Sequence, residues 1–175
     1  MIFVAITTLS GHVSRALDFY SKNNIFFSIG RTQPWENEQI PPTPINTDTT
    51  EDVQGYKLVD SKFLVVPVLE EGKPYEISYR GTRWKIIAEG DAVTLGARWV
   101  YIMSFIEYEE FPIDMVYRQI GVYTRLVRAE GVPPGKANLL PSEVLDPGIL
   151  EVIDNRKPTY RELDQREKLA VVIEF

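Results

Sequence analysis

The stretch that most constrains this chain is its last. After a polar and charged run from Asp154 to Glu167, the residues Lys168-Leu169-Ala170-Val171-Val172-Ile173-Glu174-Phe175 make a β-branched strand that reaches the final residue. Such side chains favour a pleated, half-buried backbone, and a terminus carrying them is tied into a sheet rather than left to fray. The polar run before it, around Asn155-Arg156-Lys157-Pro158, reads as a turn.

At 175 residues the chain suits one structural domain, 1–175, able to bury roughly two thirds of the surface its unfolded form exposes. It has no cysteine, which excludes disulfides, thiolate metal sites and thiol nucleophiles together. A formal charge of -6, with 19 scattered Lys and Arg, argues against a nucleic-acid partner, because phosphate neutralisation needs a basic face. The opening Met1-Ile2-Phe3-Val4-Ala5-Ile6 is apolar but reaches Thr7-Thr8 too soon to span a bilayer, so it reads as a first strand and no membrane partner is expected.

Val13, Ala16, Leu17 and Tyr20 fall on one helical face, with Ser10 as N-cap and Asn23-Asn24 as the stop. Ile25-Phe26-Phe27-Ser28-Ile29 then reads as a buried strand closed by Gly30. From Gln33 to Asp52 four prolines, Pro34, Pro41, Pro42 and Pro44, remove ladder donors and predict an extended surface loop. The segments Lys57–Val68, Tyr75–Tyr79, Trp84–Ala88 and Arg98–Glu107 are strand-like and separated by turns, a spacing that suggests a meander. In Trp99–Ile106 both parities are apolar, as in a strand covered on both faces. Tyr117–Val127 fits either period, and its β-branched content favours strand. The tract from Val132 to Gly148 reads as loop with at most one helical turn. The fold class expected is α+β, predominantly β: a sheet-rich sandwich with one N-terminal helix and long Pro-rich loops.

The ionisable residues point to no catalytic, cofactor or metal site. His12 is the only histidine and no Gly-x-Ser-x-Gly elbow accompanies it, so a solvated or partly packed ring is the favoured reading. Glu107, Glu109 and Glu110, with Glu70-Glu71, could supply two facing carboxylates about 5 to 10 Å apart, but nothing in the spacing requires it. Asp48, Glu51 and Asp52 lack the alternating register of a calcium loop. Pro134-Gly135-Lys136-Ala137 lacks the flanking residues of a phosphate cradle. Pro34-Trp35 has two open readings: an interface anchor, or a staple folding the loop back onto its own domain. Arg118, Arg156, Arg161 and Arg166 read by default as intramolecular partners of Asp154, Glu162 or Asp164, and otherwise as clamps for a partner's carboxylates.

Three blocks together resemble the baseplate wedge subunit, the one numbered eight, of T-even-type contractile-tailed bacteriophages. They are Asn24-Ile25-Phe26-Phe27-Ser28-Ile29-Gly30-Arg31-Thr32-Gln33-Pro34-Trp35 with Pro41-Pro42-x-Pro44, then Tyr117-Arg118-Gln119-Ile120, then Gly148 to Phe175 with Asn155-Arg156-x-Pro158 and Asp164-Gln165-x-Glu167. The family-like core would be residues 1–45 and 110–175, with 57–107 a short β meander in place of a larger insertion. The resemblance implies a non-enzymatic virion protein of the tail baseplate, assembled in the host cytoplasm and holding other wedge subunits, with a homodimer left open. The interface candidates are then Arg31, Pro34, Trp35, Pro41, Pro42, Pro44, Arg118, Asn155 and Arg156.

Two other functions remain open at this point. One is a carbohydrate-binding or carbohydrate-active β-sandwich using Trp35, Trp84 or Trp99 as sugar platforms beside Glu107 to Glu110. The other is a phage neck or tail-terminator protein.

Overall fold

The computed structural model describes residues 6–111, 115–162 and 165–175. The strand expected at Met1–Ile6 lies outside the described residues except for Ile6, which is exposed. In chain order the elements are α1 (Leu9–Ser21), β1 (Ile25–Gly30), β2 (Gly55–Leu58), β3 (Ser61–Pro67), β4 (Ile77–Tyr79), β5 (Thr82–Ile86), β6 (Trp99–Ile106), β7 (Val116–Thr124), β8 (Val127–Arg128), β9 (Asn138–Leu139), β10 (Val144–Asp146), β11 (Ile149–Tyr160) and β12 (Glu167–Glu174). The chain is therefore α+β and predominantly β. It forms two compact units: residues up to Lys22 with Ser61–Met103 and Ala170–Phe175, and Asn23–Asp60 with Ser104–Leu169.

In the first unit α1 starts at Thr8, not at the expected Ser10. Thr8 is extended and its Oγ1 accepts the Gly11 N–H at 3.1 Å, so the threonine satisfies an orphan donor of the first turn and Ser10 is already helical. The buried face is Val13, Ala16 and Phe19, so the apolar stripe includes Phe19, while Leu17 and Tyr20 are half-buried. Phe19 packs on the ring of Phe175 with centroids 5.1 Å apart, and the Phe175 N–H donates to the Arg98 carbonyl at 2.9 Å. The C-terminal strand is thus fastened at its last residue, as its composition suggests.

The sheet of this unit runs β12-β6-β3-β5-β4. It is not a meander in chain order, since β5 lies between β3 and β4, pairing Val65 with Ile86 and Ile77 with Trp84. The tight turn at Arg80-Gly81, both left-handed, makes β4 and β5 a hairpin, and the long connection before it lets β5 take the place beside β3. Val65, Trp84 and Tyr101 form the core of this sheet, flanked by Phe63, Ile77 and Trp99.

The expected strand Lys57–Val68 is two strands in two different sheets. The break falls at Asp60, whose carboxylate accepts from Ser104 Oγ at 2.8 Å and from the Phe105 N–H at 2.9 Å. An acidic side chain that takes up backbone donors in this way competes with ladder continuation.

In the second unit a five-stranded sheet runs β11-β7-β1-β2-β9, beside a separate β8–β10 pair. All six residues of β1 are buried, and β7 is buried over Tyr117–Thr124, so the strand reading of that ambiguous segment holds. Phe26, Tyr56, Tyr123 and Leu139 form its core, with Tyr56 and Tyr123 edge to face at 5.7 Å. The residues read as a polar turn, Asp154 to Pro158, are strand instead. They continue β11, an edge strand paired only to β7 whose register slips between Asn155 and Thr159, and proline is tolerated at such a slip on an edge. The Val132–Gly148 tract contains the one expected helical turn, Pro141–Glu143, and also the short strands β9 and β10.

Candidate interaction site: the proline loop and its clamp

Between β1 and β2 the chain runs from Arg31 to Gln54 without a helix or strand, the loop the prolines predict. Both necks reverse through left-handed residues, Arg31 at φ 53° and Asp52 at φ 45°. The Arg31 N–H donates to the Glu51 carbonyl at 2.6 Å and the Gln54 N–H to the Ile29 carbonyl at 2.8 Å, so the two necks are zipped together.

The returning leg lies against the sheet because two glycines admit it. A Cβ on Gly30 would run into the Glu51 carbonyl, and one on Gly121 would run into Thr50 and Ser28. In that space Ser28 Oγ and Thr50 Oγ1 share a buried hydrogen bond of 2.7 Å, and the Thr50 N–H donates to the Tyr123 hydroxyl at 2.8 Å. A relay then crosses the sheet. The Glu51 N–H donates to Gln119 Oε1 at 2.8 Å, Gln119 Nε2 donates to Asn155 Oδ1 at 2.9 Å, and Asn155 Nδ2 donates to the Pro42 carbonyl at 2.8 Å.

The outgoing leg is held by Trp35, only 7% exposed. Its Nε1 donates to the Arg156 carbonyl at 2.9 Å, and the Arg31 guanidinium stacks on its ring 3.8 Å from the centroid. Arg31 also pairs with Glu51, and Arg156 with Asp154. Arg118, 6% exposed, takes Glu38 through Nε and Nη2, at 2.9 and 2.7 Å to Oε1, and donates to the Thr32 carbonyl. The hydrogen bonds from Arg118 hold the Glu38 carboxyl below the usual range.

The structure therefore gathers Arg31, Trp35, Pro42, Arg118, Asn155 and Arg156 into one clamp. Trp35 takes the staple role of its two readings. Pro34 and Pro42 are exposed, and Pro41 and Pro44 are half-buried. What the clamp presents outward was missed by the reading of prolines and arginines: Ile40 at 73% exposed and Ile45 at 76%, with the exposed acids Glu36 and Asp48 on the same loop. Their signal in the sequence was two isoleucines placed on either side of a proline cluster. Glu38, the carboxylate partner of Arg118, was missed as well.

Several of the remaining charged candidates are occupied elsewhere, while Glu71 and Glu109 are exposed. Glu110 accepts from Lys57 at 2.7 Å, Glu107 pairs with Arg166 at 2.8 Å, and Lys136 pairs with Glu143 at 2.5 Å. Arg161 donates to the carbonyls of Phe111 and Glu107 rather than to Glu162. Glu70 pairs with Lys73 at 3.3 Å, and Asp52 accepts from Thr32. His12 is half-buried on α1, its Nδ1 without a partner among the described residues. The tryptophans of the sugar-platform reading are not open faces. Trp84 is 8% exposed, and Trp99 is half-buried with the Arg98 guanidinium 4.6 Å above its ring.

Residues 4–175 match the family described as baseplate wedge 3 tail fiber network component. The chain belongs to that family. It is also 33% identical, over 98% of its own length and 96% of the relative's, to virion protein 3 of Enterococcus phage phiEF24C. This family member is a structural component of the phage virion, located in the tail baseplate, which sets aside the neck and tail-terminator reading.

Proposed function

We propose that this chain is a non-enzymatic bracket of the baseplate wedge and that the loop Gln33–Asp52 is the surface by which it holds its neighbours. The observation that carries this reading is the contrast within one loop. Its legs are fixed by Trp35, Arg118 and the Gln119–Asn155 relay, while Ile40 and Ile45 stand out into solvent. A loop held in its bound shape before docking loses little conformational entropy on binding. Exposed isoleucines supply the apolar area, and the clamp transmits the load to the sheet. Of the nine interface candidates, Pro34, Pro41, Pro42 and Pro44 then shape the contact surface. Arg31, Trp35, Arg118, Asn155 and Arg156 position it.

Equivalence to the T-even wedge subunit numbered eight is part of this proposal, supported by the three sequence blocks that surround the clamp. Among the charged candidates above, Glu70, Glu107 and Glu110 are paired within the chain, which supports a structural role. The test is complementation of a phage lacking this gene with the double variant Ile40→Asp/Ile45→Asp. The reading expects the variant to fold with unchanged melting and to be depleted from purified particles. Normal incorporation would overturn it.

A further inference from the structure

The two units differ sharply in charge. The first carries eight basic and seven acidic side chains, the second eleven and eighteen. Much of the excess sits on the proline loop, where residues 33–52 hold Glu36, Glu38, Asp48, Glu51 and Asp52 and no base. Glu38 and Glu51 are neutralised by Arg118 and Arg31 and Asp52 is hydrogen-bonded at the neck, which leaves the exposed Glu36 and Asp48 on the same loop as the exposed isoleucines.

The first unit holds a surface of the opposite kind. A cleft of about 410 Å³ opens at the end of β3, its lining made of the apolar side chains around Val66, Leu69 and Pro74 together with Glu70, Lys73 and Lys85. Leu69 is 86% exposed, an apolar side chain with no cover. Arg83 reaches the same place, donating to the Glu70 carbonyl. Lys73 pairs with the Glu70 carboxylate, while Lys85 has no carboxylate partner among the described residues.

We infer that this cleft seats the Ile40–Ile45 segment of a second copy of the chain, Lys73 and Lys85 facing its Glu36 and Asp48. This deepens the docking-loop reading and rests on it. The chain carries both halves of the contact, an acidic apolar projection and an apolar recess that bears one more lysine than carboxylate in its lining, of a volume suited to a few side chains. The prolines at 41, 42 and 44 hold the segment extended, so little order is lost on entry. Because the two surfaces differ, each contact takes the loop of one copy and the cleft of another. Opposed charges make the contact salt-sensitive.

The experiment is sedimentation of the full chain at low and high salt. The inference expects concentration-dependent association that weakens with salt. Lys85→Glu or Ile45→Asp alone should each weaken it about tenfold or more. Mixing those two variants should give dimers and nothing larger, since one supplies an intact loop and the other an intact cleft. A wild-type chain that stays monomeric at every attainable concentration would overturn the inference, and so would a mixture that stays monomeric or association indifferent to Lys85→Glu. If the wild type is monomeric while the isoleucine variant is still lost from particles, the inference falls and the docking loop stands. If both results are negative, both fall.

Discussion

Trp35 and Arg156 stand 121 positions apart in sequence, yet the indole N–H of one donates to the main-chain carbonyl of the other at 2.9 Å. That bond ties the first leg of the proline loop to an edge strand and occupies an edge carbonyl that would otherwise be open to pairing with another chain. The loop's shape is therefore a property of the folded sheet.

Replacing Trp35 with alanine should cost stability, in contrast to the exposed isoleucines. Truncating a buried tryptophan costs about 3–5 kcal/mol. Trp35→Phe keeps most of the packing and loses the hydrogen bond, a cost of about 1 kcal/mol. Denaturant titration of both variants checks the order.

Gly121 is expected to tolerate no side chain. Its Cβ would enter the space of the Ser28–Thr50 hydrogen bond and approach Leu150 to 2.9 Å. Overpacking of this kind costs about 1–3 kcal/mol. Gly121→Ala should lower the melting temperature and, by displacing Thr50, speed amide exchange in residues 50–52.

Lys57 and Glu110 form a largely buried pair, with side chains 6% and 18% exposed. Removing one partner leaves a buried charge, so Lys57→Met alone should cost about 3–5 kcal/mol. The double variant Lys57→Met/Glu110→Leu should recover most of that loss. A double-mutant cycle in denaturant measures the coupling.

Two carboxylates should give opposite pH dependences. Burial raises the Glu167 carboxyl above the usual range, a shift only partly opposed by the Tyr117 hydroxyl that donates to it. Its contribution to stability is therefore full below the unfolded value and is lost as pH rises through the folded one. Glu167→Gln should melt higher than wild type at neutral pH and equal to it below about pH 4. Glu38 is held low by Arg118, so its contribution is present at neutral pH and is lost as pH falls through the depressed folded value. Glu38→Gln should melt lower than wild type at neutral pH, with the difference closing in acid. Melting curves across pH check both signs.

The parts of this fold that were legible in sequence are those fixed by local composition. Ile25–Gly30 and Val116–Thr124 are apolar and β-rich enough to be strands wherever they lie, and the prolines between Gln33 and Asp52 forbid a ladder. The rest depends on partners far away in the chain. Asp154 to Pro158 looks like a turn because an edge strand carries polar residues and tolerates proline, and only pairing with β7 makes it a strand. Arg118 finds Glu38 across 80 positions, and no local pattern announces that choice. Asp60 breaks a continuous β-like run through bonds to Ser104 and Phe105, which composition cannot anticipate. The clamp's members were named as interface candidates, but the isoleucines it displays were not.

The most direct test of the bracket account is a reconstruction of the intact tail baseplate at side-chain resolution. The account expects this chain in the wedge, with Ile40 and Ile45 covered by a neighbouring protein and Trp35 seated under Arg31 as in the free chain. A baseplate in which the 33–52 loop faces solvent on every copy would contradict it.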